Sequence, residues 1–204
     1  DRKCFELKIR SETIVADAEH EWVMSSSKSR WTNVEGTNKV LTTQQIFDSG
    51  KKKCFQHSEP SQYQFMALTV HPYLMGIMLS QGLESDRSIF TGYSHKILVQ
   101  LSAFEIEYDQ VGYMMYQIRD KDVCEKLNFL ISETNRRIPE HYLLSSVVQR
   151  RQLVQGILES QENGRCPVVD KDDPLLSDHV RLAGSLGLNS TVEHIKGGFF
   201  SRDK

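Results

Sequence analysis

Two segments 80 positions apart end alike: Leu74-Met75-Gly76-Ile77-Met78-Leu79-Ser80-Gln81-Gly82 and Val154-Gln155-Gly156-Ile157-Leu158-Glu159-Ser160-Gln161-Glu162. Each carries a glycine in mid-segment and finishes on Ser-Gln, a carboxamide that offers a carbonyl oxygen or an N–H but no charge. Glycine inside a helix costs on the order of 1 kcal/mol relative to alanine, so a packing reason is expected. Two helices that meet at glycines can bring their backbones very close. The expected product is a pseudo-twofold domain whose helix C-termini lie side by side.

Other reactive residue types are scattered. Cys4, Cys54, Cys124 and Cys166 form no Cys-x-x-Cys pair and have no histidine at zinc-finger spacing, so free thiols in a reducing compartment are expected. Cys4 lies in a strand-like run and reads as a core residue. His179 and His194 fail on metal-ligand spacing. No Gly-rich phosphate loop or Ser-His-Asp arrangement emerges, and Gly197-Gly198 is too short a signal to use. Lys51-Lys52-Lys53 is the densest positive run, either a solvated turn or a phosphate contact.

The 204 residues leave room for one large domain or two small ones with a buried core. A net charge of -2 gives no bulk attraction to phosphate, so nucleic-acid binding would have to come from local patches. The longest apolar stretch, 73–79, is far below the roughly 18 to 20 residues a bilayer demands. No leader precedes it, and the chain reads as cytoplasmic, or nuclear in a eukaryote. It opens at Asp1 rather than Met, which marks a processed start or an excerpt.

The elements that must position the repeat follow from periodicity. Phe5, Leu7 and Ile9 alternate with Glu6, Lys8 and Arg10, and a second apolar run covers 13–16, so antiparallel strands joined by a tight turn are expected over 4–24. Residues 25–38 have loop composition. Thr42 or Thr43 caps a short helix over 43–47 that Gly50 ends. A polar connector around Pro60 divides the chain into a β-rich segment, 1–64, and a second domain, 65–204. In the latter, Pro72 opens an all-round apolar and therefore buried helix over 73–79. Strands fall within 88–116 around a helix near 94–101. Further helices are expected over 121–131, 140–144, 147–158 (capped by Ser145 or Ser146) and from 174 or 175 to 186. A strand is expected near 167–169. The fold class is α+β.

The arrangement resembles the LAGLIDADG homing endonucleases, particularly those embedded in inteins of phage and bacterial genes. Pro72-Tyr73-Leu74-Met75-Gly76 is similar to that family's Pro-Tyr-Leu-Leu-Gly opening of the first motif. The run Arg136-Arg137-Ile138-Pro139-Glu140-His141-Tyr142-Leu143, then Ser145, Ser146, Gln149-Arg150 and Leu153-Val154-Gln155-Gly156, resembles the order that leads into the second. Val180, Leu182 and Ser185-Leu186-Gly187 resemble the closing helix. Ala16-Asp17-Ala18-Glu19-His20-Glu21-Trp22, with Thr42-Thr43 and Ile46 downstream, is similar to a block of intein (Hint) domains. The resemblance covers residues 70–190 strongly and 5–57 less so. It implies a pseudo-twofold fold of αββαββα-like repeats preceded by a partial Hint-like part.

It also implies where cleavage chemistry would sit. In the family each paired helix ends in an aspartate, and the two carboxylates share divalent metals that cut DNA phosphodiesters. Here those positions are Gln81 and Gln161, and the family's lysine aligns with Arg136. Each glutamine removes a full negative charge. Glu159, Glu162, Glu84 and Asp86 are the carboxylates near enough in sequence to stand in. The expected protein is therefore a degenerate, catalytically inactive DNA-binding or interaction module needing no cofactor. An active Mg²⁺-dependent endonuclease and a non-enzymatic scaffold docked to a protein assembly are the alternatives. Candidate contacts to double-stranded DNA are Lys51, Lys52, Lys53, Arg87, Arg136, Arg137, Arg150, Arg151 and Arg165, each with a solvated surface as its plain reading. His20 matches the intein histidine that polarises a scissile peptide, or is a hydrogen-bonded structural residue. Splicing also needs a Cys or Ser at the first position and a His-Asn end, and neither Asp1 nor Asp203-Lys204 supplies them, so splicing is not expected of these residues.

Overall fold

The computed structural model describes residues 3–9, 12–25, 39–50, 54–55, 59–81, 88–161 and 173–188. Lys51, Lys52, Lys53, Arg87, Arg165, the expected strand at 167–169, and the carboxylates of Glu84, Asp86 and Glu162 lie outside them. The fold is mixed α+β, in two compact units, Asp1–Ser58 and Glu59–Lys204.

In the first unit, β1 (Cys4–Ile9) and β2 (Glu12–Asp17) pair antiparallel in the register Cys4↔Asp17 to Ile9↔Glu12. Side chains alternate across a strand, so Phe5 and Leu7 are half-buried while Cys4, Glu6 and Lys8 are exposed. Cys4 is thus not the core residue its neighbours implied: it shares a face with two charges. A second sheet runs in the order β4 (Lys39–Thr42), β3 (Glu21–Ser25), β5 (Cys54–Phe55). Helix α1 (Thr43–Asp48) starts at a capping box in which Thr42 and Gln45 satisfy each other's backbone N–H. Gly50 follows it at φ 56°, a conformation glycine adopts without strain.

The second unit is organised by α2 (Pro72–Ser80) and α6 (Val147–Glu159). Every residue of α2 from Pro72 to Leu79 is buried, as an all-round apolar helix requires. Between these helices the chain forms β6 (Ile89–Thr91), α3 (His95–Ala103), β7 (Tyr108–Gly112), β8 (Met115–Ile118), α4 (Lys121–Glu133) and α5 (Glu140–Leu143). Helix α7 (Pro174–Ser185) comes after α6. The strands form an antiparallel sheet ordered β6-β8-β7, whose Phe90, Tyr108, Tyr116 and Ile118 turn toward the core. Helices α3 and α4 add Ile97, Leu101, Leu127 and Ile131 to it, and α7 adds Leu175 and Leu182.

The caps are local and legible. Ser94 accepts from Lys96 N–H, Asp120 from Asp122 and Val123 N–H, and Asp173 from Leu175 N–H. Ser146 forms a capping box with Gln149. Ser146 rather than Ser145 is therefore the cap of α6, because Ser145 Oγ turns back to Tyr142 O.

The division between units falls at 58/59, six residues ahead of the boundary drawn from composition. Residues 59–70 form a strap held to the second unit side chain by side chain. Arg150 donates to Ser61 O, and Ser61 N–H to Ser185 O. The Gln149 carboxamide bonds both Met66 O and Met66 N–H, at 2.6 and 3.1 Å. Tyr142 hydroxyl bonds Val70 O and N–H at 2.8 and 3.1 Å. Composition reads this polar stretch as a connector because the groups that bind it are distant in sequence. Among the described residues, strands follow α2 but not α6, so the likeness between the halves rests on the helix pair.

Candidate functional site

Helices α2 and α6 cross at the two glycines. A Cβ placed on Gly76 would lie 2.3 Å from Leu153 O, and one on Gly156 would lie 2.1 Å from Tyr73 O and 3.2 Å from Gly76 Cα. Real Cβ atoms do not approach a carbonyl oxygen that closely, so only glycine fits at either position. The crossing brings the helix ends together: Ser80 Oγ and Ser160 Oγ are in direct hydrogen-bond contact. Each also lies within hydrogen-bond reach of its own last turn, Gly76 O and Ile77 O for Ser80 and Ile157 O for Ser160, so with one proton per hydroxyl one serine donates to its helix while the other donates across the pair. The matched serines were visible in the repeat as Ser80 and Ser160, but their contact needs the crossing.

The two glutamines beyond the serines are in different circumstances. The Gln81 carboxamide donates from Nε2 to Thr91 O and accepts from Thr91 N–H, both at 2.7 Å. Gln161 is half-buried, and no hydrogen bond ties its side chain to another described residue. Glu159 accepts from Tyr73 hydroxyl at 2.7 Å and from Gln155 Nε2 at 3.1 Å. Burial and this neighbouring carboxylate push the Tyr73 hydroxyl pKa well up, which keeps its donor proton in place.

The resemblance implies divalent metal at these helix ends, and the residues present do not fit one. A hard cation selects anionic oxygen. The Gln81 carboxamide is engaged by one backbone residue through both its N–H and its oxygen, Gln161 brings no charge, and Glu159 serves Tyr73 and Gln155. Among the described residues no group of three His, Cys, Asp or Glu side chains could hold a metal ion.

The expected DNA contacts separate by environment. Arg150 is wholly buried. Its guanidinium donates to Ser145 O at 2.8 Å, to Ser185 O and Oγ at 2.7 and 2.5 Å, and to Ser61 O, with the Tyr63 ring 4.8 Å away. It cannot reach a phosphate, and its expected place at a DNA surface is corrected to an interior one. The Ser185 carbonyl lies at the C-terminal end of α7, where the helix dipole favours a cation. Arg137 is committed to the buried Asp178, by Nη2 at 2.6 Å and Nε at 3.2 Å, and the same carboxylate accepts from Ile138 N–H. Arg136 sits in the turn after α4 at φ 65°, half-buried, with no hydrogen bond to either helix-end glutamine. Arg151 is exposed on α6.

In the first unit His20 is exposed, and its backbone carbonyl rather than its ring makes the bonds, accepting from Thr43 N–H at 2.9 Å and Thr43 Oγ1 at 3.2 Å. The ring meets Trp22 edge-on at 4.7 Å.

Three histidines of the second unit make stability depend on pH. Burial lowers the pKa of His71, His141 and His179 below the ordinary value of 6.5. Among the described residues neither ring nitrogen of His179 has a hydrogen-bond partner. His71 Nδ1 accepts from Tyr73 N–H at 3.3 Å as the cap of α2, while its ring stacks on Phe104 at 4.2 Å. A histidine whose folded pKa is depressed binds protons first in the unfolded chain, so stability falls as pH drops through about 6.5 toward the folded pKa. The expected result is a Tm that decreases from pH 7.5 to 5.5 in thermal unfolding followed by circular dichroism. His71→Asn retains a capping oxygen without titrating and should flatten that decline.

The chain matches no protein-family profile, and no solved structure matches it. Among curated proteins it is similar to a replicative DNA helicase DnaB of Mycobacterium intracellulare, 28% identical over 182 residues that take in 78% of this chain and 29% of the relative. The chain thus spans less than a third of that protein's length. Among the described residues no helix is long and apolar enough to cross a membrane.

Proposed function

We propose that this chain is a catalytically silent relative of the LAGLIDADG homing endonucleases, preceded by a partial Hint-like segment and retained as a DNA-binding or interaction module. The observation that carries the reading is the crossing of two helices at Gly76 and Gly156, with their ends in contact and amides where a hydrolytic site needs acids. Two-metal phosphodiester cleavage depends on anionic ligands that hold both cations and orient the attacking water. The glutamines supply no charge, and the Gln81 oxygen already accepts from Thr91 N–H. The similarity to under a third of a DNA helicase's length has the proportions of an element inserted in a host gene. The chain has no Gly-rich phosphate loop of its own, which argues against reading it as the nucleotide-hydrolysing part.

Affinity for DNA is expected to be modest. Burial removes Arg150 from the basic set and Asp178 neutralises Arg137, which leaves Arg151 and Arg136 among the described residues. Plasmid libraries incubated with Mg²⁺ or Mn²⁺ should remain uncut. Fluorescence anisotropy on labelled duplexes should give a Kd on the order of micromolar or weaker, weakening further between 50 and 200 mM salt. Cleavage would establish the active endonuclease instead. Absence of salt-sensitive binding would leave the protein-docking scaffold.

A further inference from the structure

The hydrogen-bond pattern around β6 gives Gln81 a role of its own. Antiparallel strands point successive backbone groups alternately toward the partner and away from it. Ile118 N–H bonds Ser88 O and Gly92 N–H bonds Met114 O, while β6 and β8 pair as Ile89↔Gln117, Phe90↔Tyr116 and Thr91↔Met115. Residues 88, 90 and 92 therefore face β8, and the N–H and C=O of Thr91 face the other way. Among the described residues no strand pairs with that outward side in the sheet order β6-β8-β7, and unpaired backbone groups at such an edge invite another strand. Gln81 meets both groups at 2.7 Å.

We propose that Gln81 is a positioning residue that closes the β6 edge as a one-residue strand mimic, latching the sheet to the end of α2, a role that Gln161 does not share. A carboxamide is suited to the task because it presents a C=O and an N–H side by side, as a peptide group does. Gln149 does the same to Met66 elsewhere in the unit, with the backbone N–H and C=O of one residue again paired to one glutamine. An aspartate at 81 is one methylene shorter, has no donor, and would turn a negative oxygen toward Thr91 O. The inference needs no DNA binding and stands or falls separately from the function proposed above.

The test compares Gln81→Asp, Gln81→Glu and Gln161→Asp by amide hydrogen exchange at Thr91 and by thermal unfolding. Gln81→Asp should expose Thr91 N–H, speeding its exchange at least tenfold, and lower Tm by roughly 4–8 °C. Gln161→Asp should change neither. Gln81→Glu keeps the acceptor but not the donor, so Thr91 N–H should stay protected while Tm falls by a smaller amount, and this split holds even where Gln81→Asp fails to fold. Unchanged Thr91 exchange and Tm in Gln81→Asp would overturn the latch.

Discussion

Gly156→Ala is expected to destabilise the second unit by about 3 kcal/mol or more, a fall in Tm of roughly 6–12 °C for a domain of this size. The added Cβ would sit 2.1 Å from Tyr73 O and 3.0 Å from Tyr73 C, and these are backbone atoms of a fully buried helix with no flexible end to swing away. The helices would have to separate by about an ångström, opening the packing of Leu153 and Ile157 against α2 and breaking the contact between Ser80 and Ser160. Alanine's better helix propensity, about 1 kcal/mol, offsets only part of this. Gly76→Ala should behave alike, its Cβ falling 2.3 Å from Leu153 O. Gly184→Ala is the control. It lies in α7 with nothing within 4 Å of its Cβ, so the same substitution should leave Tm unchanged or raise it slightly. Urea and thermal unfolding of the three variants separate steric exclusion at the crossing from a general intolerance of alanine, and equal effects at 76, 156 and 184 would remove the crossing argument.

Arg150→Ala should cost about 3–5 kcal/mol, measured by urea unfolding. One guanidinium holds three backbone carbonyls, Ser61 O, Ser145 O and Ser185 O, from three separate stretches of chain. Its removal leaves buried acceptors without donors in a place water does not fill for free. Arg150→Lys should recover only part of the loss, because an ammonium cannot reproduce the planar fork that meets Ser145 and Ser185 at once. The strap at 59–70 should loosen in both variants, seen as faster cleavage near Tyr63 in limited proteolysis. A variant that kept wild-type stability yet lost DNA affinity would return Arg150 to the surface role that its sequence neighbours imply.

Helices were the most legible part of the fold. Pro72 marks one start as a proline with no N–H to lose, Thr42 or Thr43 and Ser145 or Ser146 mark others as hydroxyls able to cap a first turn, and periodicity then gives lengths to within a residue or two, while the structure selects Thr42 and Ser146 and adds the Ser94 cap. The β1–β2 hairpin was equally readable from alternation. Less was legible about environment. Cys4 was expected in a core, but a two-strand ribbon has one half-buried face, and Cys4 falls on the other. Arg150 follows Gln149 in a run of polar residues that looks like a solvated helix face, and only the packing of α5, α7 and the strap around it makes that face an interior.

The candidate site divides along the same line. The residues of one chain segment set where a helix begins, which glycine interrupts it and which amide ends it, because those are properties of neighbouring backbone. That Gly76 and Gly156 touch, that Ser80 meets Ser160, and that Gln81 is spent on Thr91 while Gln161 is not, depend on segments up to 80 residues apart being packed together. A glutamine's hydrogen-bonding capacity is written in its formula. Which backbone it satisfies is decided by whichever strand edge the folded core brings within 3 Å of it.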